Sequence, residues 1–85
     1  MKAYPVSVQT ESTPGSTFRA VRRAKGRKLR HTAVAAGIDP AHLSRVERGE
    51  KQLSVDAMHR LAKVLELNEL ADMLEPYITS KGRVP

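Results

Sequence analysis

The run Ala36-Gly37-Ile38-Asp39-Pro40 constrains this chain more than any other feature of it. Asp39 offers a side-chain acceptor to the first turn of a helix, and Pro40 stands where a first helical N–H lacks a partner anyway. Just upstream, Gly37 takes the left-handed backbone that follows a helix C-terminus without a Cβ penalty. Leu29, Ala33 and Ala36 recur at helical spacing before this break, and Leu43 and Val46 after it. One helix over roughly residues 28–36 and another over 40–48 are therefore expected. Two short helices joined by so tight a glycine turn pack across one another. Ala33 is small enough for that crossing. With Ile38, Leu43 and Val46 turned inward, the second helix leaves Pro40, Ala41, His42, Ser44, Arg45 and Arg48 outside or at its edges.

The flanking segments supply three more helices. Ser16 or Thr17 can cap the first, whose apolar side is Phe18, Val21 and Ala24 and which Gly26 ends. Gly49 closes the second crossing helix. Ser54 then caps a fourth, with Val55, Met58, Leu61, Ala62 and Leu65 at spacings of three and four. A fifth, around residues 68–75, presents Leu67, Leu70, Ala71 and Leu74 before Pro76 halts it. The nearest approach to a strand is residues 4–8, and no segment sustains period-two alternation. The expected fold is all-α: five short helices in one domain over residues 16–76, preceded by a flexible arm over 1–15 and followed by a short frayed tail over 77–85.

Several function classes are excluded by what the chain lacks. Its 85 residues leave room for one small core and none for a broad catalytic cleft. Without cysteine there is neither a disulfide nor a thiolate metal site. His31, His42 and His59 fall on different expected helices at spacings that match no ligand motif, with His59 facing solvent; no metal or cofactor is expected. Ser44 has no base to activate it, which argues against an enzyme. No apolar run approaches the roughly 18–20 residues of a membrane span, and the start lacks the apolar core of a secretory signal. Charge is more informative. The chain carries a net charge of +6, with ten bases against three acids between Arg19 and Lys51 and near-neutral segments on either side. One half of the domain holds the positive field, as a phosphate-facing surface does.

Three elements occur in order: FRAVRRAKG at 18–26, AGIDPAHLSRVERG at 36–49 and SVDAMHRLAKVL at 54–65. Together they resemble the phage-repressor-like (Xre/Cro-CI type) helix-turn-helix family, over residues 18 to about 67, and LSRVERG at 43–49 is the most specific part. The resemblance implies a five-helix, lambda-repressor-like DNA-binding domain, usually acting as a homodimer. The departures are local. Arg27 stands where the family commonly has leucine, Lys28 and Leu29 where a Ser or Thr cap and a glutamine usually open the second helix, and Thr32 where an apolar residue is usual.

Carried over by position, the resemblance implies that Ala41 and Arg45 face base edges, with Pro40, His42 and Ser44 at the margins. Arg45 can pair bidentately with guanine O6 and N7, a contact worth about 1–3 kcal/mol of discrimination. Ala41 offers a methyl suited to a thymine methyl. Lys28, Leu29, Arg30, Arg48, Lys51 and Gln52 are placed for phosphates, which set register without carrying sequence information. Backbone N–H groups at the start of the second helix add donors there. Glu47 on a DNA-facing helix repels phosphate, so it is expected to turn inward. In the family this glutamate pairs with an arginine of the first helix, here Arg22.

One such helix reads only a few base pairs, whereas two about 34–36 Å apart read a palindrome on one face of a duplex. A homodimer on double-stranded DNA is therefore expected, with Leu67, Leu70, Ala71, Leu74, Tyr77 and Ile78 as its interface. The other reading of this stripe is that it closes the core of its own subunit. The function that follows is a cytoplasmic, nucleoid-associated repressor that occludes a promoter at a palindromic operator and makes no membrane contact. The rival is an antitoxin-like or switch module that neutralises a protein partner and also binds its own promoter. The arm carries only one base, Lys2, and is not suited to wrapping DNA.

Overall fold

Short polar side chains decide where three of the helices begin. The fold is taken from a computed structural model that describes residues 13–78. Among them the order is α1 Pro14–Ala24, α2 Leu29–Ala35, α3 Pro40–Glu47, α4 Val55–Val64 and α5 Asn68–Leu74, closed by a 3-10 turn at Glu75–Tyr77. The described residues are thus all-α, with five helices. The strand candidate at 4–8, most of the arm and most of the tail lie outside them.

Asp39 Oδ2 accepts from the His42 amide at 3.0 Å and Ser54 Oγ from the Ala57 amide at 3.1 Å, each satisfying a donor that a helix start leaves open. At α1 the cap is Thr13, not Ser16 or Thr17. Thr13 Oγ1 accepts from the Ser16 amide at 3.0 Å while Ser16 Oγ accepts from the Thr13 amide at 2.9 Å, a reciprocal box. Thr13-Pro14 is the same cap-then-proline signal as Asp39-Pro40, obscured in the sequence by Gly15, a poor helix former. Gly15 is there for packing: it is buried, and a Cβ at this position would overlap the carbonyl oxygen of Val46 and lie 2.7 Å from its carbonyl carbon. The first turn of α1 thus rests directly on the backbone of α3.

The core gathers Phe18, Ala33, Ala36, Ile38, Leu43, Val46, Ala57, Leu61 and Leu65, with Leu43, Leu61 and Leu65 fully enclosed. α1 packs on α3, and α2 packs on both α3 and α4. Ala33 is fully buried at the crossing. Gly37, at φ 70°, turns the chain, and the Ile38 amide reaches back to the Ala33 carbonyl at 2.8 Å. Arg60 Nε completes the turn by donating to the Ala36 carbonyl at 2.7 Å. The buried hydroxyl of Thr32 donates to the Lys28 carbonyl at 2.8 Å, so a polar side chain fits where an apolar one was expected.

α5 packs chiefly on α4. Ala71 and Ile78, expected at a dimer interface, are 3% and 9% exposed and belong to the core of their own chain, because α5 and the 3-10 turn fold back onto α4. Leu67 and Leu70 pack partly against the same core. α5 ends at Leu74, just ahead of Pro76, which sits inside the following 3-10 turn, whose first positions tolerate a missing N–H. His59 does not simply face solvent either. Its side chain is 16% exposed, with Nε2 3.3 Å from Glu75 Oε1.

Candidate nucleic-acid interface

α3 is two-faced. Leu43, Val46 and Glu47 are buried, whereas Ala41 and Arg45 are exposed and Pro40, His42 and Ser44 are half-buried. Residues 41 and 45 are one helical turn apart on the outward side, and 40 and 44 form a second row beside them. The five residues expected to meet bases are therefore gathered on a single open face. Its capped start and the crossing beneath it hold that face in a fixed orientation to the core.

The one acid that α3 carries points the other way. Glu47 Oε2 accepts from Arg22 Nε at 2.8 Å and Oε1 from Arg22 Nη2 at 2.9 Å, a two-point fork between α3 and α1. The Arg22 and Glu47 side chains are 9% and 4% exposed, so this is a buried pair. The hydrogen bond to Glu47, and secondarily its charge, raises the Arg22 pKa above the ordinary arginine value, against the opposing effect of burial. Arg22 also donates through Nη1 to the Arg27 carbonyl at 2.7 Å. Arg27 in turn donates to the Val64 carbonyl at 3.0 Å, at the end of α4, and lies 3.7 Å from Glu66. A polar chain thus links α3, α1, the loop after α1 and the C-terminus of α4. Arg27, where the resembled family commonly has leucine, reaches a helix end that an apolar side chain leaves unbonded.

Lys28, Arg30, Arg48, Lys51 and the amide of Gln52 are on exposed residues, while the Leu29 side chain packs against the core and leaves only its backbone amide for an outside acceptor. Arg48 caps the C-terminus of α3 and is already engaged. Its Nη1 donates to Ser44 Oγ at 2.6 Å and its Nε to Glu50 Oε2 at 3.0 Å. In α5 and the turn after it, Leu74 is half-buried, and Tyr77 and Met73 are each 68% exposed.

Residues 15–74 fit the family described as the helix-turn-helix domain. The chain belongs to the helix-turn-helix domain family. Its architecture is consistent with the phage-repressor-like branch that the three sequence elements resemble. Two HTH-type transcriptional regulators of Mycobacterium tuberculosis, both described as uncharacterized, are similar to it. One is from strain CDC 1551 / Oshkosh and one from strain ATCC 25618 / H37Rv. Each is 34% identical over 74 residues, covering 81% of this chain and 53% of the relative. The chain spans about half the length of these curated relatives. No solved structure matches it.

Within this helix-turn-helix domain, four structural residues were not singled out in the sequence for the roles they take. Thr13 and Gly15 fall within the expected arm, Arg27 is a departure from the family pattern, and Glu50 is one charge among several. The Thr-Pro pair was the readable signal for the first two; the others depend on tertiary partners. Among the described residues, no helix is long and apolar enough to cross a membrane, and no three His, Asp or Glu side chains are grouped to hold a metal ion.

Proposed function

We propose that the protein is a DNA-binding transcription regulator that lays α3 in the major groove, and that residues 13–78 form its DNA-binding domain. The observation that carries this reading is the division of α3: its acid is buried and paired, while Ala41 and Arg45 stand open with Pro40, His42 and Ser44 beside them. Arg45 and Ala41 read base edges, and Pro40, His42 and Ser44 bound the contact. Lys28, Arg30, Arg48, Lys51, Gln52 and the Leu29 amide meet the flanking phosphates and set the register.

The protein acts as a homodimer on a palindromic operator, because one α3 spans too few base pairs for useful selectivity. Met73 and Tyr77 supply exposed apolar surface for the dimer contact, with Leu67, Leu70 and Leu74 at its edge. Its output is repression, by occupying a promoter. Neutralising six or more phosphates per dimer makes affinity fall by about 10³ or more between 50 and 200 mM salt.

Selection of bound duplexes from a random library tests the reading. It should enrich a two-fold symmetric site whose half-sites lie about one helical turn apart. Enrichment of a single asymmetric half-site contradicts the dimer, and no enrichment contradicts sequence-specific binding.

A further inference from the structure

Glu50 lies among the cations that the interface offers to DNA. Gly49, at φ 83°, turns the chain back at the end of α3, and the Glu50 amide then bonds to the Arg45 carbonyl at 2.9 Å. That turn brings the Glu50 carboxylate onto the guanidinium of Arg48, with Oε2 3.0 Å from Nε and Oε1 3.4 Å from Nη2. The third nitrogen of Arg48 donates to Ser44 Oγ at 2.6 Å, so each of the three guanidinium nitrogens has a partner inside the protein. The hydrogen bond and charge of Arg48, followed by the charges of Arg45 and Lys51, hold the Glu50 carboxyl below the usual glutamate range. It is therefore ionised at neutral pH. A guanidinium fork fits a carboxylate and a phosphate in the same two-point manner.

We propose that Glu50 is a built-in counter-ion of the DNA-binding face: its carboxylate occupies the fork of Arg48 that a backbone phosphate takes in the complex. This rests on the DNA-binding reading above. Binding to any duplex then exchanges one internal ion pair for one phosphate contact, instead of adding a contact outright. Because the Arg48 and Glu50 side chains are 48% and 54% exposed, the pair opens readily. The effect is a graded restraint on electrostatic binding, not a lock. It acts equally on cognate and unrelated sequence, since phosphate contacts do not distinguish bases. Its consequence is to lower the affinity for DNA held by charge alone.

The test is a set of anisotropy titrations of a random-sequence duplex about two helical turns long, between about 50 and 200 mM salt. The proteins are wild type, Glu50→Gln, Glu69→Gln, Arg48→Met and the Arg48→Met/Glu50→Gln double variant, each checked for helical content. Glu69 is exposed on α5, whose main partner is α4, and its replacement makes the same change in net charge. Glu50→Gln should make the salt slope steeper, by at most about 0.9 per protomer, and tighten binding by up to about fivefold per protomer near 0.15 M salt, because no internal pair then has to open before Arg48 meets its phosphate. Glu69→Gln should do much less, and Glu50→Gln should add no more than that once Arg48 is methionine. Equal effects of the two glutamine variants, or an undiminished Glu50→Gln gain in the Arg48→Met background, overturns the counter-ion role while leaving DNA binding standing. If no protein in the set binds duplex even at low salt, the DNA-binding reading falls and the counter-ion role with it.

Discussion

Replacing Glu47 by alanine removes both acceptors that face the Nε and Nη2 of Arg22, at 2.8 and 2.9 Å, and leaves the 2.7 Å bond from Nη1 to the Arg27 carbonyl as the only one remaining. Arg22 is 7% exposed, so its charge then stays buried without a counter-charge. Breaking one side of such a pair destabilises by about 3–5 kcal/mol. The whole stability of a domain of residues 13–78 is about 3–10 kcal/mol at the usual 0.05–0.15 kcal/mol per residue. Glu47→Ala therefore leaves α3 poorly anchored to α1 and the fold near its threshold. Urea unfolding followed by helical circular dichroism measures the difference, and a melt should show a fall of at least about 12 °C, taking 4 °C per kcal/mol for a domain of this size. Replacing both partners, as Arg22→Met/Glu47→Leu, should recover much of the loss, because apolar side chains of similar volume do not leave a stranded charge. The raised Arg22 pKa means that this stabilisation is present below the ordinary arginine value and is lost only as pH rises through the still higher folded value. A Glu47→Ala protein within about 1 kcal/mol of wild type, or a double variant no better than the single one, refutes the reasoning.

Two further substitutions test the packing around this site. Gly15→Ala should destabilise by at least about 1–3 kcal/mol, because the new methyl meets the Val46 backbone and neither helix can yield cheaply; a melt unchanged from wild type contradicts the close approach. Glu66→Gly should raise the melting temperature by a few degrees, since Glu66 holds a left-handed φ of 62° that costs a non-glycine residue about 1 kcal/mol. The ion pairs it gives up, 4.0 Å to Lys25 and 3.7 Å to Arg27, are exposed and weak. A lower melting temperature means that those pairs outweigh the backbone strain.

The helices were legible in the sequence because their signals are local. Asp39-Pro40 and Ser54 state where α3 and α4 begin, and the apolar spacing of Leu43 and Val46 states which side of α3 is buried. What stayed hidden depends on partners far apart in the chain. Nothing near Gly15 says that Val46 lies against it, and nothing near Arg27 says that the Val64 carbonyl lies within reach. The fate of Ala71 and Ile78 was open for a related reason: an apolar stripe looks the same whether it covers its own core or a second subunit, and only the return of α5 onto α4 decides it. The outward face of α3 lies between these cases. Its composition was readable from spacing, but the engagement of Arg48 by Ser44 and Glu50 follows from the turn at Gly49 and was not.

Competition binding of wild type and Arg45→Ala, each offered its selected duplex against a scrambled one, measures sequence reading by α3 most directly. Loss of a two-point arginine–guanine contact should reduce the preference for the selected duplex by about 1–3 kcal/mol per half-site, roughly five- to 150-fold, while affinity for the scrambled duplex changes far less. An unchanged preference would mean that this face of α3 does not touch the bases.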